Sequence, residues 1–112
     1  MTTNFHVSHD SKLYELFAER IAEGDTLETW RVSARGDVNR FVTITNNRPY
    51  LHANHQYKAY YKWTIVEGDN TYKRIVDLIT NQLEYYIRGL WKPPRKGKAV
   101  TTPIESPQIK LF

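Results

Sequence analysis

The 112-residue chain has no cysteine. That excludes a disulfide framework, a thiol nucleophile and any cysteine-ligated metal, and it makes a reducing cytoplasm the expected compartment. No stretch approaches the ~18 apolar residues of a membrane-spanning helix. The opening MTTNFHVSHD has neither a basic start nor an apolar run, so no signal peptide is expected. There is no N-x-[ST] acceptor. The common catalytic signatures are missing too: no G-x-S-x-G, no Gly-rich phosphate loop and no H-E-x-x-H. The expectation is a non-enzymatic protein without a required cofactor.

A hydrophobic content of 40% against 25% charged residues is that of one small folded domain with a single core. The net charge of +4 is localised. Lys92, Arg95, Lys96 and Lys98 supply it, with no acid between Leu90 and Val100. The other 12 basic and 12 acidic residues cancel. The basic isoelectric point therefore describes a neutral body followed by a basic segment, and does not by itself make the body a nucleic-acid-binding face.

The stretch Gln56–Val66, QYKAYYKWTIV, alternates. Tyr57, Ala59, Tyr61, Trp63 and Ile65 form an apolar set, and Lys58, Tyr60, Lys62 and Thr64 a cationic one. This period of two predicts a strand with one buried and one exposed face. Before it, Leu13, Leu16, Phe17 and Ile21 recur at helical spacing after Ser8 or Asp10 as a cap, which predicts a helix ending at Gly24. Glu28–Ala34 and Val38–Thr45 alternate as strands around an Arg35-Gly36-Asp37 turn, and Tyr50–His55 reads as a loop or a short irregular strand. A wide apolar stripe from Ile75 to Leu90 predicts a long helix from about Thr71 to Arg88, capped by Asp69 or Asn70 and ended by Gly89. Trp63, Ile65, Trp30, Leu78, Ile79, Leu83 and Phe17 form the expected core.

The expected fold is a two-layer α+β domain of order α-β-β-β-α over residues 1–91, an antiparallel sheet with helices on one face. Double-stranded-RNA-binding domains share that order, but the lysine cluster opening their second helix is represented here only by Lys73 and Arg74, and their function is not carried over. Residues 92–112 hold four of the five prolines and no period, and are expected to be a flexible tail.

Three constellations point to function. On the outer sheet face, the strand assignment groups Arg31, Phe41, Lys58, Tyr60 and Lys62, rings among cations that suit single-stranded DNA or RNA. The same face also suits a homodimer contact. The four histidines repeat one spacing, His6-x-x-His9 and His52-x-x-His55, which would complete a zinc tetrahedron if the pairs met. Finally, the terminal Gln108-Ile109-Lys110-Leu111-Phe112 resembles the bacterial sliding-clamp-binding pentapeptide, whose usual form is Q-L-[SD]-L-F. Gln108, Leu111 and Phe112 match its anchor positions, while Ile109 and Lys110 depart from it. The resemblance implies a clamp as partner, with Leu111 and Phe112 in its pocket and Gln108 as a polar hook. The combined expectation is an accessory protein of DNA metabolism docked on a sliding clamp. The alternative is a homodimeric interaction module, with or without a histidine-bound metal.

Overall fold

The computed structural model describes residues 1–91. Five strands, β1 (Thr2–His9), β2 (Lys12–Glu23), β3 (Glu28–Ala34), β4 (Asp37–Asn46) and β5 (Thr64–Gly68), form one antiparallel sheet in chain order. Three helices, α1 (Arg48–Ala53), α2 (Asn70–Arg74) and α3 (Val76–Trp91), complete a two-layer α+β fold. Among the described residues no helix is long and apolar enough to cross a membrane.

Residues 12–23 form a strand where a helix was expected. The segment carries both periods. Its Leu, Glu, Ala and Arg residues favour a helix locally, but Tyr14, Leu16 and Ala18 also alternate with Glu15, Phe17 and Glu19. Pairing with β1 on one side and β3 on the other decides the outcome. Leu16 and Ala18 are buried on the core face, whereas Leu13 and Phe17 lie on the opposite face, Leu13 exposed and Phe17 half-buried. The β1–β2 turn is built by Asp10 (φ 52°) and Ser11 (φ 62°), both left-handed, between the paired His9 and Lys12. Two positive φ angles match the right-handed twist of a two-residue hairpin. Asp10 is thus a turn residue and caps no helix.

The core joins Leu16, Ala18, Trp30, Val32, Val42 and Ile44 of the sheet to Tyr72, Ile75, Ile79, Leu83 and Ile87 of the helical layer. Asp69 caps α2, its carboxylate accepting from the Tyr72 N–H at 2.9 Å. The long helix is interrupted at the buried Ile75, whose φ of −105° and ψ of 16° leave helical geometry, and α3 then runs through Gly89 to Trp91. Gly68 has φ +153°, and a Cβ there would lie 2.7 Å from Val42 Cα, so only glycine lets β5 leave β4 at this point.

Because the strands alternate in direction, the β1–β2 turn, the β3–β4 turn and α2 share one end of the sheet. The β2–β3 loop, α1 and the C-terminal end of α3 share the other, where the Tyr86 hydroxyl donates to the Thr2 carbonyl at 2.9 Å.

Candidate nucleic-acid interface

At that second end, Pro49 stands in the first turn of α1, where its fixed φ suits a helix start and no N–H is wasted. Residues 48–53 are therefore helical, where a loop or a short irregular strand was expected. The helix is anchored by Arg48, which reaches the fully buried carboxylate of Glu28 with Nε at 3.1 Å and Nη2 at 2.6 Å. Glu28 also accepts from Trp30 Nε1 (3.0 Å), Asn46 Nδ2 (2.9 Å) and Arg20 Nη1 (3.4 Å). Burial alone would raise the Glu28 pKa, but the hydrogen bonds from Arg48, Trp30 and Asn46 outweigh it and hold the carboxyl below the usual range. Burial and the Arg48 charge lower the pKa of His52, one turn along α1.

Residues 56–63 leave α1 and form no strand; β5 begins only at Thr64. Side chains of α3 take over the backbone groups that a ladder would have used. Glu84 accepts from the Tyr61 N–H at 3.1 Å and from Trp63 Nε1 at 2.9 Å. Arg88 pairs with Glu84 and donates to the carbonyls of Tyr57 and Ala59. Asn47 Oδ1 accepts from the Lys62 N–H at 2.8 Å. With every other residue turned inward, Tyr61 is buried and Ala59 and Trp63 are half-buried. Burial pushes the Tyr61 hydroxyl up to about 12, against the opposing charge of Arg88.

The alternate residues face water. Tyr60 is 85% exposed, and Lys58 and Lys62 are exposed on either side of it. The Arg88 guanidinium lies 5.5 Å from the Tyr60 ring centre and 4.6 Å from that of Tyr61. Tyr57 packs against the rings of His52 (5.2 Å) and His55 (5.9 Å). The product is a ring held from below by a cation and flanked by two lysines, on a segment whose backbone is fixed.

The five residues expected on one sheet face are therefore split. Arg31 and Phe41 are on the open face of the sheet, the guanidinium 5.0 Å from the ring centre. Lys58, Tyr60 and Lys62 are on the irregular segment beside α3, because residues 56–63 pair with no strand. Beside Arg31 the open face carries Glu19, its direct partner, and Glu67, which pairs with Thr43 next to it, so the charge there does not favour phosphates. The histidines do not converge either. His6 and His9 are on β1, with His9 Nε2 3.3 Å from Asp10, whereas His52 and His55 belong to α1 and the residue pair after it. Among the described residues no group of three or more His, Cys, Asp or Glu side chains is placed to hold a metal ion. Gln108, Leu111 and Phe112 lie outside the described residues.

Some of the expected core is also displaced. Ile65 is 39% exposed, and Trp63, Leu78 and Phe17 are half-buried, while Trp30, Ile79 and Leu83 are fully buried. Glu84 and Arg88 organise the segment without having been singled out. The Glu84 side chain is only 13% exposed. Their i,i+4 spacing was the available signal.

No protein-family model, curated protein or solved structure matches the chain.

Proposed function

We propose that this chain is a non-enzymatic binding protein of DNA metabolism, which contacts single-stranded nucleic acid through Lys58, Tyr60 and Lys62 and docks on a sliding clamp through Gln108, Leu111 and Phe112. The observation that carries the first half is the exposed Tyr60 ring, pre-positioned by Arg88 between two lysines. A ring of this kind offers a stacking surface for any base, and the lysines meet the phosphates on either side. The basic run Lys92–Lys98 begins four positions after Arg88 in the chain. The clamp half rests on the terminal pentapeptide.

Fluorescence anisotropy with a single-stranded oligonucleotide over a salt series tests the first half. Tyr60→Ala is expected to cost ~1–3 kcal/mol of binding free energy, and Lys58→Ala with Lys62→Ala to flatten the salt slope by about two. Undiminished binding by all three variants would remove this surface from the reading.

A second reading, a homodimer through the open sheet face, is favoured by a different observation. Phe17 and Phe41 stand there half-buried, and the Thr43 hydroxyl is buried with no hydrogen-bond partner in the structure. A five-stranded face is roughly 24 Å wide at about 4.8 Å per strand, enough for an isologous contact of ordinary size. Sedimentation equilibrium of the protein and of Phe41→Glu separates the two readings; a monomer at every concentration leaves only the first.

A further inference from the structure

We propose that the cleft between the β1–β2 turn and α2, at the opposite end of the domain from Tyr60, is a binding site for a phosphoryl group. It is lined by His9, Asp10, Lys12, Tyr14, Thr71 and Arg74, over the buried Ile75, and encloses about 170 Å³. At ~30 Å³ per water molecule this is room for about five waters, enough for a phosphate and its ester oxygen.

The strand register explains why these side chains converge. His9 and Lys12 are directly opposite each other across the two-residue turn, and Val7 and Tyr14 form the next pair. All four point to the core face, which at this end of the sheet is closed by α2. Tyr14 stands edge-on to Tyr72 of α2 at 6.0 Å, and this contact sets the floor of the cleft. Lys12 Nζ lies 5.5 Å from the Tyr14 ring centre. Thr71 and Arg74 of α2 line the other wall.

The charges are available. Among the described residues neither Lys12 nor Arg74 forms an ion pair. The one carboxylate in the cleft, Asp10, is engaged with His9. Asp69, which begins α2, spends its carboxylate on the N–H groups of Phe41 and Tyr72. What remains is a lysine and an arginine on the lining of one small polar volume, with a threonine beside them. Guanidinium donors match phosphate oxygens two at a time, and lysine adds a point charge.

The test is a ¹H–¹⁵N NMR titration of the full chain, at constant ionic strength held by chloride. Three probes are used in parallel: inorganic phosphate, adenosine 5′-monophosphate and a single-stranded oligonucleotide. The expected result is a saturable shift of amides in His9–Tyr14 and Thr71–Ile75, with a dissociation constant on the order of 1 mM for inorganic phosphate. In the double variant Lys12→Gln, Arg74→Gln the affinity falls by about tenfold or more, and Arg74→Lys gives an intermediate loss. Both variants keep a cooperative unfolding transition, since neither cation forms an ion pair among the described residues. A monophosphate that binds more tightly than free phosphate identifies a nucleotide as the source of the group; equal affinities identify phosphate itself. An oligonucleotide that shifts only Tyr57–Lys62 leaves the two sites independent, provided inorganic phosphate still shifts the cleft. No phosphate-induced shift in the cleft, or an unchanged response in the double variant, overturns the proposal.

Discussion

Glu28 shows what a single buried carboxylate does in this chain. It receives five hydrogen bonds from four side chains that belong to β2, β3, β4 and α1, so it ties the edge of the core to the helix that launches residues 56–63. Removing Arg48 would leave that carboxylate charged, buried and short of its strongest donors. Arg48→Ala is therefore expected to cost ~3–5 kcal/mol in a denaturant titration, far more than a surface ion pair. The same site sets an acid limit. The folded-state pKa of Glu28 is depressed from its ordinary 4.5, so its stabilisation is fully present above pH 4.5 and disappears as pH falls through the lower folded-state value. A melting-temperature profile should lose part of its acid slope in Glu28→Gln. Gly68 sets a limit of another kind. Gly68→Ala places a methyl group against Val42 Cα at a φ that L-residues avoid, and is expected to cost ~1–3 kcal/mol by thermal unfolding, with no change in charge.

At the scale of elements, β2 and residues 56–63 are where sequence and structure part. In each, the pattern read from the sequence did not decide the local structure. In β2 the helical spacing of Leu13, Leu16, Phe17 and Ile21 arises because two of those residues, Leu13 and Phe17, belong to the open face, so a stripe built from both faces of a strand imitated one face of a helix. The turn that would have revealed the hairpin is Asp-Ser, which lacks the glycine that usually marks two positive φ angles. Ser11→Gly should relieve that strain and raise stability by roughly 0.5–1 kcal/mol in a denaturant titration. In residues 56–63 the alternation of Tyr61 and Trp63 with Tyr60 and Lys62 is real, and it does sort buried from exposed side chains. What the pattern could not show is that Glu84 and Arg88 satisfy the backbone that a neighbouring strand would otherwise have paired. Where both partners of a contact were themselves periodic, as in Trp30, Ile79 and Leu83, the pattern identified the core; of the two cap candidates, Asp69 and Asn70, the structure uses Asp69. Glu84→Ala should free the 56–63 segment, seen as faster hydrogen exchange at the Tyr61 amide, and should weaken oligonucleotide binding although it removes a negative charge. A purely electrostatic surface would bind more tightly after that change.

For the molecule as a whole, the two ends of the sheet are chemically distinct. One presents Lys58, Tyr60 and Lys62, and the other the Lys12–Arg74 cleft. The clamp-like peptide is separated from the end of α3 at Trp91 by Lys92–Pro107. Calorimetry with a bacterial sliding clamp is expected to give a micromolar dissociation constant for the full chain. Leu111→Ala with Phe112→Ala should abolish the heat, and Tyr60→Ala should leave it unchanged. Equal heats from the full chain and a variant lacking Gln108–Phe112 would exclude the clamp contact.

The strand order of the sheet also has a consequence for biosynthesis. Each strand pairs with the one translated just before it, so the sheet can zip up from β1 as the chain leaves the ribosome, without waiting for distant segments. Its apolar face has no such local partner. Leu16, Trp30, Val32, Val42 and Ile44 share their core with Ile79, Leu83 and Ile87, which are made only after all five strands. The nascent chain thus carries an assembled but uncovered sheet until α3 emerges, and a pause in translation before α3 would leave that greasy surface open to chaperones or to other nascent chains.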